Sequence, residues 1–281
     1  MLHGPRSPEG NEMILSCTNI MVPGKTLTEK AHLLRRWGYR GVTVFADHAG
    51  WNDEKLEELL TLENNTGVVP CEFLFMSPAA GKLMSDNADE RAATKALYIE
   101  AAEVCAKIGA ITEIEYLLGP QDPLPLFDVY KQMKPEQEED FLAAYREIAQ
   151  AVAGTEAAVL LEGINRYESP YMNSIVDCAR VAAKLDMKEV GVLPDFFHMS
   201  IEEADIADAI AAVAGSIRHV HLGDNNRCTP GKGSIDWERG LKALKATGYD
   251  KFISLECSTM GRPDVTLPEA ADYLNRILAR I

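Results

Sequence analysis

Short apolar runs rich in Val, Ile, Leu and Phe alternate along this chain with longer segments whose apolar positions recur every three to four residues. A continuous apolar run reads as a strand covered on both faces, and the longer period as an amphipathic helix. After a polar tail over 1–12, expected to be loose, ILSCTNI (14–20) precedes a helix from Thr28 through Trp37, ended by Gly38. GVTVFA (41–46) precedes a helix near 53–63 with Asn52 and Asp53 as candidate caps. VVPCEFLF (68–75) precedes an Ala-rich helix near 88–108 that Gly109 stops. ITEIEYLL (111–118) precedes a helix near 136–153, whose acidic opening suits the positive end of the helix dipole. AAVLLE (157–162), VGVLPD (190–195), IRHVH (217–221) and FISLE (252–256) complete the strands, with helices near 172–185, 202–213, 236–246 and 268–280.

Eight strand–helix pairs in strict alternation predict an α/β protein with an all-parallel sheet and right-handed crossovers. The length of 281 residues suits a single (β/α)8 TIM barrel, expected over 13–281, with its active site at the C-terminal rim of the strands. One connection is long. GPQDPLPLFDVYKQMKP (119–135) separates the fourth strand from its helix and carries Leu124, Leu126, Phe127 and Tyr130. Its place at the rim suits a lid or a subunit contact, with a stiff surface excursion as the alternative.

Each of the last four strand runs closes on a side chain able to bind a metal: Glu162, Asp195, His221 and Glu256. Separations of 33, 26 and 35 residues are close to one strand-plus-helix unit each, which puts all four at adjacent strand ends on one rim. Three carboxylates and an imidazole aimed at one spot repel unless a divalent cation holds them. An oxygen-rich set with one imidazole fits a six-coordinate hard ion better than a structural zinc.

Composition narrows the partners. A net charge of −15 argues against a nucleic-acid surface or an anionic membrane, both of which need clustered Lys and Arg. No run approaches the ~20 apolar residues of a membrane span, and the N-terminus shows no signal-peptide core. The six cysteines are scattered without a C-x-x-C pair, which suggests reduced thiols and a cytoplasmic setting.

The stretches LEGINRYES (161–169), PDFFHMSIEE (194–203), HVHLGDNNRCTPGKGSIDW (219–237) and SLEC (254–257) resemble the xylose-isomerase-like TIM barrels, and within them the ketose 3-epimerase subgroup typified by D-tagatose 3-epimerase. The resemblance implies one divalent ion, manganese first with magnesium or cobalt as alternatives, on Glu162, Asp195, His221 and Glu256. It implies that Glu162 and Glu256 exchange the substrate proton through a metal-stabilised enediolate. It also implies that Glu168 of NRYE, His198 of FHM and Arg227 of NNR grip the carbonyl end of a sugar, and that the protein is a homo-oligomer, dimer or tetramer. The departures are Gly163 before INRYE, Pro194 and Phe196 around Asp195, and SCTNIMVPGKT in place of an aromatic-rich first strand.

Together these features predict a metal-dependent epimerase or isomerase of a ketose or related polyhydroxy carbonyl compound. A lyase or dehydratase on a keto-sugar or keto-inositol needs the same parts and stays open. An apurinic-site endonuclease needs more rim histidines than six His in total provide, and a sugar-binding barrel would not need acid and base. His219, two residues from His221, reads as a barrel-interior side chain. Of Glu113 and Glu115, one either enters the barrel mouth or pairs on the helix side. His48 touches substrate or is a solvated loop histidine.

Overall fold

The computed structural model describes residues 12–128 and 131–281. All but the last residue of the polar tail, and Val129 and Tyr130 of the long connection, lie outside the described residues. In chain order the elements are β1 (Ile14–Thr18), α1 (Leu27–Arg36), β2 (Gly41–Asp47), α2 (Asp53–Thr66), β3 (Val69–Met76), α3 (Ala88–Ile108), β4 (Ile111–Ile114) and α4 (Pro135–Gln150). The second half has β5 (Ala158–Glu162), α5 (Ile175–Ala183), β6 (Val190–Leu193), α6 (Phe196–Glu202), α7 (Ile206–Ala212), β7 (Val220–Leu222), α8 (Trp237–Ala246), β8 (Phe252–Leu255) and α9 (Pro263–Leu278).

The expected alternation holds, and its departures have local causes. The first strand stops at Thr18 because Asn19 turns to bond both backbone groups of Phe45, at 3.1 and 3.0 Å. The fourth strand covers only the first half of its apolar run, since the Tyr98 hydroxyl captures the Glu115 amide at 3.1 Å and turns the chain. The helix expected over 202–213 is α7, and an additional helix, α6, precedes it. Asp195 caps α6 directly after β6, and Asp205 caps α7 by accepting from the Asp208 amide at 3.0 Å. Asn52 does cap α2, and Gly109 at φ 71° closes α3 in the left-handed conformation an L side chain resists. The last helix begins at Pro263, so Pro268 lies inside it.

Hydrogen-bonded ladders run in the order β6-β5-β4-β3-β2-β1-β8-β7, every pair parallel. Isolated bridges between Val192 and Ile217 and between Asp195 and His221 join the two ends, so the sheet closes as a (β/α)8 barrel. The main core lies between the outward strand faces and the helices, where burying apolar side chains contributes most of the stability. Inside the barrel, Ile111, Ala158, Leu160 and Leu193 fill one side. The other side is polar and small: Ser16, Thr43, Glu72, His219 and Ser254 are all buried there. Gly41 starts β2 where this side is tightest, because an added Cβ would sit 2.5 Å from the Phe252 ring and 2.9 Å from Ser16 Cβ. Gly41→Ala should therefore destabilise the barrel by about 1–3 kcal/mol through overpacking. A thermal melt reads this, and a variant as stable as the parent would mean that the Phe252 ring has room to retreat.

Candidate active site

Four consecutive strands, β5 to β8, deliver the four predicted ligands to one end of the barrel. Glu162 is the last residue of β5. Asp195 follows β6, and its Oδ1 accepts from the amides of Phe197 at 2.6 Å and His198 at 3.2 Å, so the helix cap fixes the carboxylate with Oδ2 left over. His221 sits within β7, where its amide donates to Pro194 O at 3.0 Å. Glu256 directly follows β8, held by its amide to Leu222 O at 3.2 Å. One ligand atom from each of the four lies within 4.8 Å of every other. His221 Nδ1 stands 2.8 Å from Glu256 Oε2 and 3.4 Å from Glu162 Oε1.

The donor set fits a metal on its own evidence. Glu162 Oε1, Asp195 Oδ2 and His221 Nδ1 are buried, and none has a hydrogen-bond partner. Buried polar atoms are rarely left so. Three converging on one point match the needs of a hard divalent cation with oxygen and imidazole ligands. The electrostatics agree. Burial, chiefly, raises the Glu162 carboxyl. Burial opposes charge on His221, but Glu72 and Glu256 outweigh it and hold the imidazole well above its ordinary range. Burial also pushes Glu256 up, yet His221 and then Arg227 bring it below the ordinary value.

The three predicted substrate residues cluster around Arg227, which stands beside Glu256. Arg227 Nη2 lies 3.5 Å from Glu256 Oε1, and Nη1 lies 3.5 Å from His198 Nε2 and 3.8 Å from Glu168 Oε1. The guanidinium covers the Phe197 ring at 4.4 Å. Arg227 is held at φ 58°, a left-handed backbone that costs a non-glycine residue energy and is tolerated where the surroundings enforce it. Here the enforcement comes from Asp224, absent from the sequence-based set. Its buried carboxylate accepts from the amides of Asn225, Gly231 and Ile235 and from Trp237 Nε1, tying the whole loop after β7 to α8. Asn165 was likewise missed. Its amide donates to His198 Nδ1 at 3.2 Å, which leaves the hydrogen on Nε2, free for an acceptor other than the donor-only Arg227, and its side chain donates to Glu168 at 2.8 Å.

Two more carboxylates enter the barrel. Glu113 is buried with Oε2 unpartnered, 3.9 Å from His221 Nδ1, so it is the strand-four glutamate that points inward. Glu72, hidden within the apolar run of β3, reaches His221 Nε2 at 2.8 Å. His219 is interior, as expected. Partly buried Glu115 is raised to about 8, by burial first and then by Glu162 and Glu256. His48 pairs with Glu100 of α3 at 3.0 Å, which accounts for it without a substrate.

The long connection after β4 lies against the loop that carries Glu168. Gly119 N donates to Glu168 O at 2.9 Å and Gln121 N to Tyr167 O at 3.0 Å. Beyond this seam Leu124, Leu126 and Phe127 are exposed, Phe127 at 93%.

The family model of the xylose isomerase-like TIM barrel matches residues 31–277. The chain belongs to that family. Among curated xylose isomerase-like relatives, the 3-dehydro-D-guloside 4-epimerase of Escherichia coli strain K12 is 35% identical over 111 residues, 40% of this chain and 42% of that one. A probable ketose 3-epimerase of Synechocystis is 26% identical over 227 residues, 79% of this chain and 75% of that one. The chain therefore spans about two fifths of the first relative it matches. The crystal structure of an Escherichia coli 3-keto-D-glucoside 4-epimerase, in apo form, superposes with a TM-score of 0.83 at 22% identity, covering 94% of this chain and all of the other. At that identity the likeness is one of fold.

Proton and ion compete for His221 Nδ1. Because Glu72 and Glu256 raise that imidazole, an ion must displace its proton, so affinity falls as pH falls. Manganese titrated calorimetrically in buffers of different ionisation enthalpy should release about one proton or more per ion. Weaker binding at higher pH would contradict the arrangement. Asp195→Asn, which keeps a cap oxygen but removes a charge, should lose the ion while remaining folded.

Proposed function

We propose that this protein is a divalent-metal-dependent sugar epimerase or isomerase, acting on a ketose or related polyhydroxy carbonyl compound next to its carbonyl carbon. The observation that carries the reading is the pair Glu162 and Glu256, which approach the same imidazole nitrogen from the two ends of a four-strand arc. When bound, a divalent ion supplies Lewis-acid stabilisation of the negative charge that develops on the substrate oxygens.

A proton alpha to a ketone is too weakly acidic for a lone carboxylate at neutral pH. With the oxygens stabilised, one glutamate removes the proton and the other returns one from the opposite side, which inverts the carbon. Return to the neighbouring carbon gives an aldose–ketose isomerase instead. His198, with its hydrogen on Nε2, and Arg227 donate to the carbonyl end, and Glu168 orients Arg227. The curated relatives, named as sugar epimerases, support this class of substrate. Residues 119–135, bonded to the Glu168 loop, are proposed to cover the bound sugar.

Glu162→Gln and Glu256→Gln should each lower kcat at least ~10²–10⁴-fold. His198→Ala should keep the metal while losing substrate affinity and rate. In deuterated water the parent should place deuterium on one carbon beside the ketone of a true substrate. Rapid turnover without any solvent deuterium in substrate or product would replace this mechanism with a hydride shift or an internal transfer. Eliminated product from a keto-sugar panel would move the assignment to a lyase. Shortening the 119–135 connection in a folded variant should raise KM, because a lid excludes water and completes the site. An unchanged kcat/KM would leave it a surface excursion.

A further inference from the structure

The strand-three carboxylate has no part in these proton transfers, yet a buried charge is costly unless it is bonded. Glu72 is fully enclosed inside the barrel. Its Oε2 accepts from Thr43 Oγ1 at 2.7 Å and lies 2.8 Å from His221 Nε2. With the Thr43 hydrogen directed at Glu72, Ser254 Oγ meets the Thr43 oxygen at 2.8 Å, so the carboxylate is tied through two hydroxyls to the β8 wall. The other imidazole nitrogen, Nδ1, faces Glu162 and Glu256. A neutral imidazole that donates from Nε2 has a bare lone pair on Nδ1, whereas the opposite tautomer puts a hydrogen where an ion must bind.

We infer that Glu72 is a positioning residue of the metal centre: it fixes His221 as the Nε2–H tautomer and so presents Nδ1 to the ion. The inference rests on the metal reading proposed above. Glu72, His219 and His221 also stand close enough together to share an ion of their own. The geometry favours a proton between Glu72 and His221. Their 2.8 Å separation is a hydrogen-bond length, and Glu72 is the one carboxylate of this trio, its Oε2 already accepting from Thr43, whereas the other set offers an ion three carboxylates. His219 Nε2, 3.3 Å from the same oxygen, makes no aligned hydrogen bond, and its ring packs edge-on to His221 at 5.4 Å.

The test compares the parent, Glu72→Gln and Ser254→Ala in manganese titrations followed by the paramagnetic resonance of free ion. Glutamine is neutral, and its amide can turn an N–H toward Nε2 and select the wrong tautomer. Glu72→Gln should therefore bind manganese on the order of 10–100-fold more weakly. Ser254→Ala, which loses a hydroxyl of the same network that makes no bond to the His221 imidazole, should bind within a few-fold of the parent even if it melts earlier. Long-range ¹H–¹⁵N spectra of the zinc-loaded parent should show the His221 hydrogen on Nε2, and this reading stands even if Glu72→Gln does not fold. Equal manganese affinity in a folded Glu72→Gln, a second ion per chain, or a hydrogen on Nδ1 would each overturn the inference. A parent that binds no manganese at all would instead remove the metal reading itself.

Discussion

The chain gathers negative charge where a barrel can least disperse it. Glu162, Asp195 and Glu256 share a pocket only a few ångströms across with Glu113 beside it and Glu72 beneath. Two unit charges at 4 Å repel by about 4 kcal/mol at an effective dielectric of 20, so several such pairs are a large burden against a typical folding stability of ~5–15 kcal/mol. Burial and mutual repulsion raise Glu113 and Glu162 toward their neutral forms, and Glu72 and Glu256 favour the charged form of His221 against the cost of its burial. Those are makeshift solutions that leave buried atoms without partners. A divalent ion resolves the repulsion and the missing partners at once.

The rest of the fold holds that cluster rigid. Parallel strands fix backbone positions, but a carboxylate at a strand end still has free torsions. Asp195 loses them because one oxygen caps α6, and the stacking of Phe196 on Trp237 at 5.1 Å seats the start of that helix. The loop that carries Arg227 is knitted to α8 by Asp224. Gly233 belongs to the same design: a Cβ there would collide with the Asp224 carboxylate. The result is a rim on which the residues proposed to hold an ion and those proposed to hold a sugar share the β6–β8 segment.

Much of this was legible in the sequence for a physical reason. A parallel barrel repeats one strand and one helix at a nearly constant interval, so chemistry placed at strand ends recurs at the same interval in the chain. Glu162, Asp195, His221 and Glu256 each end an apolar run and could be read directly. Helix ends set by Gly109 or capped by Asn52 were equally readable. The break between α6 and α7 was not, because no glycine or proline marks it.

Glu72 is the instructive omission. In VVPCEFLF it reads as a flaw in an apolar strand, and patterning alone invites one to overlook it. The physical signal was nevertheless present, since a carboxylate flanked by Cys71 and Phe73 in a strand covered on both faces has no route to water and must find a donor inside the barrel. The donors that reach it are Thr43, one strand away, and the imidazole of His221 on β7, 149 residues on in the chain but across a narrow barrel in space. Local sequence cannot reveal that second distance; only closure of the sheet does. A buried charge inside a run that otherwise needs none therefore marks a partner elsewhere in the chain, and here that partner is the one imidazole on which the proposed metal centre turns.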